Sequence, residues 1–565
     1  MGMSNCGGHF GPSLKYCGYD ALVITGKAPK PVYLYIEDDK IEFVDAGYLW
    51  GKGCIDTQAD LLQKYGEEAK LLCIGQGGEN LVTYACVRTE LTNSMGRTGA
   101  GCVFGSKNLK AVVAKGTKPV KIFKQKEFFK TSKQLRDDLI NPNFGKIHSL
   151  TYKIISQYGI PGVTNLIAST GMTPIRNWQA CGIDPKFNEL VTVWFDKYGV
   201  RREACFTCPI HCHSTYAVDG GKYPTRGGGP EYETTTAFGH KCDVTDARPV
   251  LKLNSMCNDY GLDTVESGNL FATLMELRER KLIDKSFTDG VDLQFGNGDA
   301  MVELLPKIAF RTKGFGEKVS QGQYRMAKKM GEEALKSVVH QKGMGPTGVE
   351  IRSTVGSALQ FSVSPRGAHH LSGLPTAEWV NYPPIAVHLT GYKEAGDIRS
   401  YHPQAKAKLV QYYENLFYMA DSLGICKFNF GHLGYWHDDP KQFDYMIDSV
   451  LNCIYYATGT KYTKDELFNI FEKAYQIERA IISLRGMRRK DDLPTYKAQT
   501  QSCPGQHPAG PIPLPPIDMD KYNKILDAYY KNRGWYQKTG IPKPEHLEKL
   551  GLHNVAKKIK KDLGV

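Results

Sequence analysis

The chain has 565 residues, of which 41% are hydrophobic, and carries a formal charge of +13. That length exceeds a single core, so roughly two to four domains are expected, and no apolar run of about eighteen residues marks a membrane-spanning helix. The charge is modest and draws on the tail Lys557-Lys558-Ile559-Lys560-Lys561; with no basic–aromatic motif it argues against nucleic acid and for an acidic protein partner.

Residues 1–120 read as β-rich. Val32-Tyr33-Leu34-Tyr35-Ile36 alternates, Glu37-Asp38-Asp39-Lys40 turns, and Ile41-Glu42-Phe43-Val44 returns as a hairpin. Lys70 to Gly75 is a further strand running into Gln76-Gly77-Gly78-Glu79-Asn80. Gly96-Arg97-Thr98-Gly99-Ala100-Gly101 then leads through Lys107 and Lys110 into the strand Ala111–Ala114. Glycines there allow backbone N–H groups close to an anion, and the three cations add charge. The spacing matches neither a Walker loop nor a dinucleotide fingerprint, so a phosphate site and a plain glycine-rich turn both stand.

Residues 121–340 read as helical. An amphipathic stretch opens at Glu127-Phe128-Phe129. Cys205, Cys208 and Cys212 follow at C-x2-C-x3-C spacing in loop-like sequence, the pattern of an iron–sulfur or a zinc site, with His211 or His213 as the fourth ligand in the zinc case. Glu231 and Glu233 stand two apart, so on a helix at most one faces a given site. Asn258-Asp259-Tyr260-Gly261-Leu262-Asp263-Thr264 reads as a helix end, a glycine turn and a new N-cap. Helices are expected over Leu270–Arg280 and Gln323–Ala334.

Residues 341–565 read as mainly helical. Ser364-Pro365-Arg366-Gly367-Ala368-His369-His370 is a polar turn with paired imidazoles. A helix over Tyr412–Leu423 ends in Asp421-Ser422-Leu423-Gly424-Ile425-Cys426, mirroring the Asn258–Asp263 stretch. A long helix is expected over Lys464–Arg489, a proline-rich surface arm from Cys503 to Pro516, and a last helix carrying Tyr529, Tyr530 and Trp535. Fifteen cysteines, an odd number with no export signal, point to reduced thiols and a cytoplasmic chain.

These pieces together resemble the tungsten-containing aldehyde:ferredoxin oxidoreductase family. The resemblance runs through Gly7-Gly8-His9-Phe10-Gly11, Gly78-Glu79-Asn80, Gly96-Arg97, Gly105 to Lys110, the cysteine loop, Glu231-Tyr232-Glu233-Thr234, Gly261-Leu262-Asp263, Asp421 to Cys426, and Arg533-Gly534-Trp535. It implies an α+β fold in which a β-sheet base, 1–120, is followed by two mainly α-helical domains, 121–340 and 341–565. It also implies a tungsten bis-pyranopterin cofactor bridged by magnesium, with molybdenum an alternative on the same ligands, and a [4Fe–4S] cluster. Carried over, Cys205, Cys208, Cys212 and Cys426 hold the cluster. Asn258, Asp263, Thr264 and Asp421 belong to the two pterin segments, and Asn5, Glu79, Asn80, Arg97, Thr98, Gly99 and Lys107 to the magnesium and phosphate side.

Glu233 matches the glutamate near the metal and His370 the active-site histidine, with His369 an equal reading by sequence and His240 a third. Asn258 departs from the family's aspartate and Ile425 from its leucine, and about a hundred residues that usually precede Asn5 are not in this sequence, a domain-sized share, so the base is expected to be incomplete. The activity implied is oxidation of a small aldehyde with ferredoxin as acceptor, in a homo-oligomer or beside a small electron-transfer subunit. A low-potential reductase of an aromatic acyl thioester and a non-catalytic cluster-carrying remnant are the alternatives.

Overall fold

The computed structural model describes residues 2–141, 143, 146–379, 383–429, 439–507 and 509–565, without the side chains of 146–151. The N-terminal part is a six-stranded sheet in the order β2-β1-β6-β3-β4-β5. Its strands are β1 Val32–Glu37, β2 Lys40–Asp45, β3 Lys70–Cys73, β4 Val87–Thr89, β5 Asn93–Met95 and β6 Leu109–Lys115. β1 and β2 form the expected hairpin, whereas β1 and β6 run parallel. Alternate residues of β1 and β6 enter two different cores. Tyr33, Tyr35, Ala111 and Val113 pack on one face, and Leu34, Ile36, Val112 and Ala114 on the other. The period of two along a strand sends neighbours to opposite faces.

The next part is helical but also carries two small sheets that periodicity did not reveal. β9 Gly199–Glu203, β10 His213–Val218 and β11 Thr225–Gly228 form one. β7 Pro174–Ile175 and β8 Ala180–Gly182 join β12 Cys503–Gln506 and β13 Ile512–Leu514 in the other. The proline-rich stretch is therefore not a draped arm: Gly505 pairs with Cys181, and Cys503 and Leu514 are buried.

Two large cores fill the helical body. One gathers Phe238, Leu251, Leu270, Leu274 and Leu304, and takes Val82 and Tyr84 from the base. The other gathers Phe361, Leu409, Phe417, Tyr475 and Tyr529, and takes Ile155, Val163 and Met172 from the preceding part. The helix expected from Tyr412 begins at Pro403, whose ring suits a first helical turn, and ends at Leu423. The Lys464 helix stops at Leu484. The 323–334 helix is broken at Gly331, with φ +107°. Trp535 lies beyond the helix Met519–Asn532, and two more helices follow it.

Candidate functional site: a four-cysteine centre and a buried carboxylate

The three-cysteine run is the loop between β9 and β10. Thr207 and His211 take positive φ values of 53° and 56°, which coils the loop tightly. Phe206 N donates to Gly8 O (3.3 Å), seating the loop on the N-terminal stretch. Gly7 lets the stretch pass close to the loop: a Cβ there would lie 2.7 Å from Cys205 Sγ and would push that thiol aside. Cys426 arrives from the other side, after Gly424 ends its helix in the left-handed conformation. Cys426 is an exposed residue, yet the protein crowded around its thiol, together with Cys212, Cys208 and Cys205, pushes it up to about 12. Cys205, Cys208 and Cys212 thus all lie within electrostatic reach of the Cys426 thiol.

Among the described residues no three His, Cys, Asp or Glu side chains converge as a single metal ion requires. His211 turns its Nδ1 to Pro209 O (2.9 Å), whereas His213 lies between Cys205 (3.7 Å) and Glu231 (3.2 Å). Three thiols in one loop with a fourth thiol in reach are a donor set that an iron–sulfur cluster accepts.

The two glutamates diverge as their spacing requires. Glu231 faces His213, whereas Glu233, in the first turn of the helix Tyr232–Phe238, faces the interior. Its Oε2 accepts from Gly348 N (2.5 Å), and its Oε1 lies 3.7 Å from His370 Nδ1. Burial raises the Glu233 carboxyl above the ordinary range, opposed by Lys241 and the Gly348 N–H. Of the paired imidazoles, His369 is buried and its Nδ1 accepts from Leu371 N (3.1 Å). Burial holds His369 well below the usual imidazole range. His240 stacks on Phe187 (4.3 Å), and burial lowers it to about 4. His370 is therefore the histidine that meets the carboxylate.

Arg97 joins the base to both helical parts. Its Nε donates to Asp263 Oδ2 (3.0 Å), its Nη2 to Gly345 O (2.7 Å) and its Nη1 to Ala368 O (3.1 Å). Thr98 and Gly99, at φ 71° and 79°, make the sharp turn that aims it. Asp263 also caps the helix Thr264–Glu279 through Val265 N (2.9 Å), and Thr264 Oγ1 meets Thr234 Oγ1 at 3.0 Å. Asn258 Nδ2 donates to Gly228 O (3.0 Å). Asn5 is exposed on the N-terminal stretch, whose Ser4 Oγ accepts from Arg97 N (3.4 Å).

Asp421 pairs with Lys427 and with Arg366 Nη2 (3.3 Å). The polar Ser364–His370 turn lies inside the protein: Arg366 is buried, and its Nε and Nη1 find no acceptor among the described residues. Two buried, unanswered N–H groups beside Asp421 suit an acceptor-rich or anionic group bound there.

Three further expected cofactor residues have partners within the scaffold. Glu79 is paired with buried Lys110 and accepts from Gly51 N (2.8 Å), so Lys110 carries no free charge either. Asn80 Nδ2 donates to Ala309 O (3.1 Å), tying base to helices. Lys107 donates to Gly26 O (3.0 Å) at the far end of the helix Ala100–Ser106, about 10 Å along its axis from Gly99. Arg366, Lys427 and Lys241 had no sequence signal, since each is marked only by burial against residues distant in the chain.

Residues 1–116 match the model of the aldehyde ferredoxin oxidoreductase N-terminal domain, and residues 142–552 match that of domains 2 and 3. The chain belongs to the aldehyde ferredoxin oxidoreductase family. It is 33% identical over 557 residues to the tungsten-containing aldehyde ferredoxin oxidoreductase of Pyrococcus furiosus, covering 97% of this chain and 84% of that one. It is 28% identical over 586 residues to the aliphatic sulfonate oxidoreductase WOR-like subunit of the same organism, covering 98% and 83%. Among solved structures, the active site complex BamBC of benzoyl coenzyme A reductase matches with a TM-score of 0.79 at 25% identity, covering all of this chain and 86% of that one. The family resemblance read from the sequence and the mixed α+β architecture both stand.

Proposed function

We propose that this chain oxidises small aldehydes to carboxylic acids, taking oxygen from water and passing the electrons to a ferredoxin. The reaction converts an aldehyde and water into an acid, two protons and two electrons. A tungsten bis-pyranopterin (or its molybdenum counterpart) with a magnesium bridge, held by Asn5, Arg97–Gly99, Asn258, Asp263, Thr264, Arg366 and Asp421, would take the electron pair, and a [4Fe–4S] cluster on Cys205, Cys208, Cys212 and Cys426 would release the electrons singly. The observation that carries the reading is Glu233 Oε1 at 3.7 Å from His370 Nδ1 in a largely enclosed site.

Glu233 takes the proton of the attacking water or of the hydrated aldehyde. Burial keeps its carboxylate weakly solvated and hence a stronger base than at the surface. His370 holds the substrate oxygen by a hydrogen bond and moves the second proton outward. Gly348 N–H fixes one carboxylate oxygen, leaving Oε1 to work. Fifteen free cysteines fit a reducing cytoplasm. Among the described residues no helix is long and apolar enough to cross a membrane.

The likeness to the benzoyl coenzyme A reductase complex supports a second reading, reduction of an aromatic acyl thioester at low potential. Assay of the purified chain with aldehydes and ferredoxin, against aromatic thioesters with a low-potential donor, separates the two. In the first reading Glu233→Gln keeps its metals and loses at least about a hundredfold in aldehyde oxidation. Unchanged activity in that variant removes Glu233 as the base.

A further inference from the structure

Glu233 does not hold its place alone. The short turn His240–Cys242 carries Lys241 into full burial, where a lysine persists only with partners. Its ammonium donates to Asn269 Oδ1 and to Pro346 O, both at 2.9 Å, and lies 4.4 Å over the Trp178 ring. Both acceptors are neutral. No carboxylate among the described residues pairs with it directly; Glu233 and Glu266 act on its charge across the site, against Arg97.

Pro346 belongs to the strap 345–348, whose every residue takes part in a hydrogen bond; Thr347 O accepts from Val349 N (2.8 Å). Gly345 O accepts from Arg97 (2.7 Å), Gly345 N donates to Glu266 (3.0 Å), and Gly348 O accepts from Tyr232 OH (2.6 Å). A Cβ on Gly345 would run into the Asn269 and Gln323 amides, and one on Gly348 would lie 2.8 Å from Thr236 Cγ2. The strap thus leaves no space for a side chain at either glycine, and its last N–H is the one aimed at Glu233.

We infer that Lys241 is a positioning residue for Glu233: it anchors, through Pro346, the strap whose Gly348 N–H holds the carboxylate, and its ammonium supplies the countercharge. This rests on the reading of Glu233 as the base. Burial brings Lys241 down to about 7 while raising Glu233, and each charge resists the shift of the other. The further charged or titratable groups facing the pair are Arg97, Asp263, Glu266, Cys242 and His370. Loss of the Lys241 charge removes a field that favours the Glu233 anion, so the carboxyl must titrate at higher pH.

The test uses the intact, cofactor-loaded chain bearing Lys241→Met or Lys241→Gln, the second keeping an amide donor for Pro346 without the charge. We expect the acid limb of kcat to move up by about one pH unit or more in both, with KM little changed. A difference infrared titration against Glu233→Gln should show the Glu233 carboxyl protonated to higher pH in both. A Glu233 titration unmoved in either folded variant overturns the assignment. If neither variant folds, Lys241→Arg decides: it keeps the charge and a donor for Pro346, so a Glu233 infrared transition that stays at the parent position supports the assignment, and one moved up as though the charge were lost overturns it. Failure of the base reading shows separately, as an active Glu233→Gln.

Discussion

Arg97 Nε meets Asp263 Oδ2 at 3.0 Å, and the same guanidinium reaches Gly345 O and Ala368 O, so one side chain ties the sheet base to both helical parts. Its planar fork serves three acceptors in three directions, which an ammonium on a flexible stem does not reproduce. Arg97→Gln is expected to cost about 3 kcal/mol or more, because it leaves Asp263 buried beside Glu266 without its cation. Arg97→Lys should recover only a minor part. Denaturant titration measures both, and a loss below about 1 kcal/mol for the glutamine variant contradicts the account.

The two adjacent histidines should separate by phenotype. His370→Asn is expected to lower aldehyde oxidation by about a hundredfold with little change in stability, since the ring faces Glu233. His369→Asn should act on stability, because its ring accepts from Leu371 N inside the core. Steady-state kinetics and a melting curve on each variant decide the matter; the reverse pattern would assign the site to His369.

Local signals made much of this legible in sequence. The Val32–Asp45 hairpin, the Tyr260-Gly261-Asp263 helix junction and the cysteine run are each written in a few adjacent residues, and the chain folds them accordingly. The glycine-rich neighbours of Glu79 suggest a phosphate, but they gave no sign that Lys110, 31 residues on, takes its carboxylate. The Cys503–Pro516 stretch misled because its strand partner lies far back in the chain: Cys181 Sγ meets Cys503 O across 322 residues. Lys241 and Arg366 gave no sign, since a cation's burial is decided by partners that only the fold assembles.

Cys426 should be indispensable to the thiol centre. Cys426→Ala is expected to lose most of the bound iron and the visible absorption of the cluster, while the far-ultraviolet helix signal stays close to the parent. An unchanged iron content and spectrum would remove Cys426 from the ligand set.

His240 yields a pH prediction. Its folded value, about 4, lies below the ordinary imidazole range, so between the two the unfolded chain binds the proton that the folded chain refuses. The fold therefore loses stability as pH falls from about 6.5 towards 4, by up to about 3 kcal/mol from this residue. His340 behaves alike, so the comparison must be between parent and variant. His240→Gln should lose less stability over that range than the parent while leaving the acid limb of catalysis in place. Parallel loss in both chains would show that His240 is not the group that charges.

The most direct test of the account is elemental analysis of the purified full chain, with electron paramagnetic resonance of the reduced protein. The account predicts about one tungsten or molybdenum and about four irons per chain, with the signal of a reduced four-iron cluster that disappears in Cys426→Ala. Iron without tungsten or molybdenum would reduce the chain to an electron carrier, and zinc alone in the thiol centre would contradict the account outright.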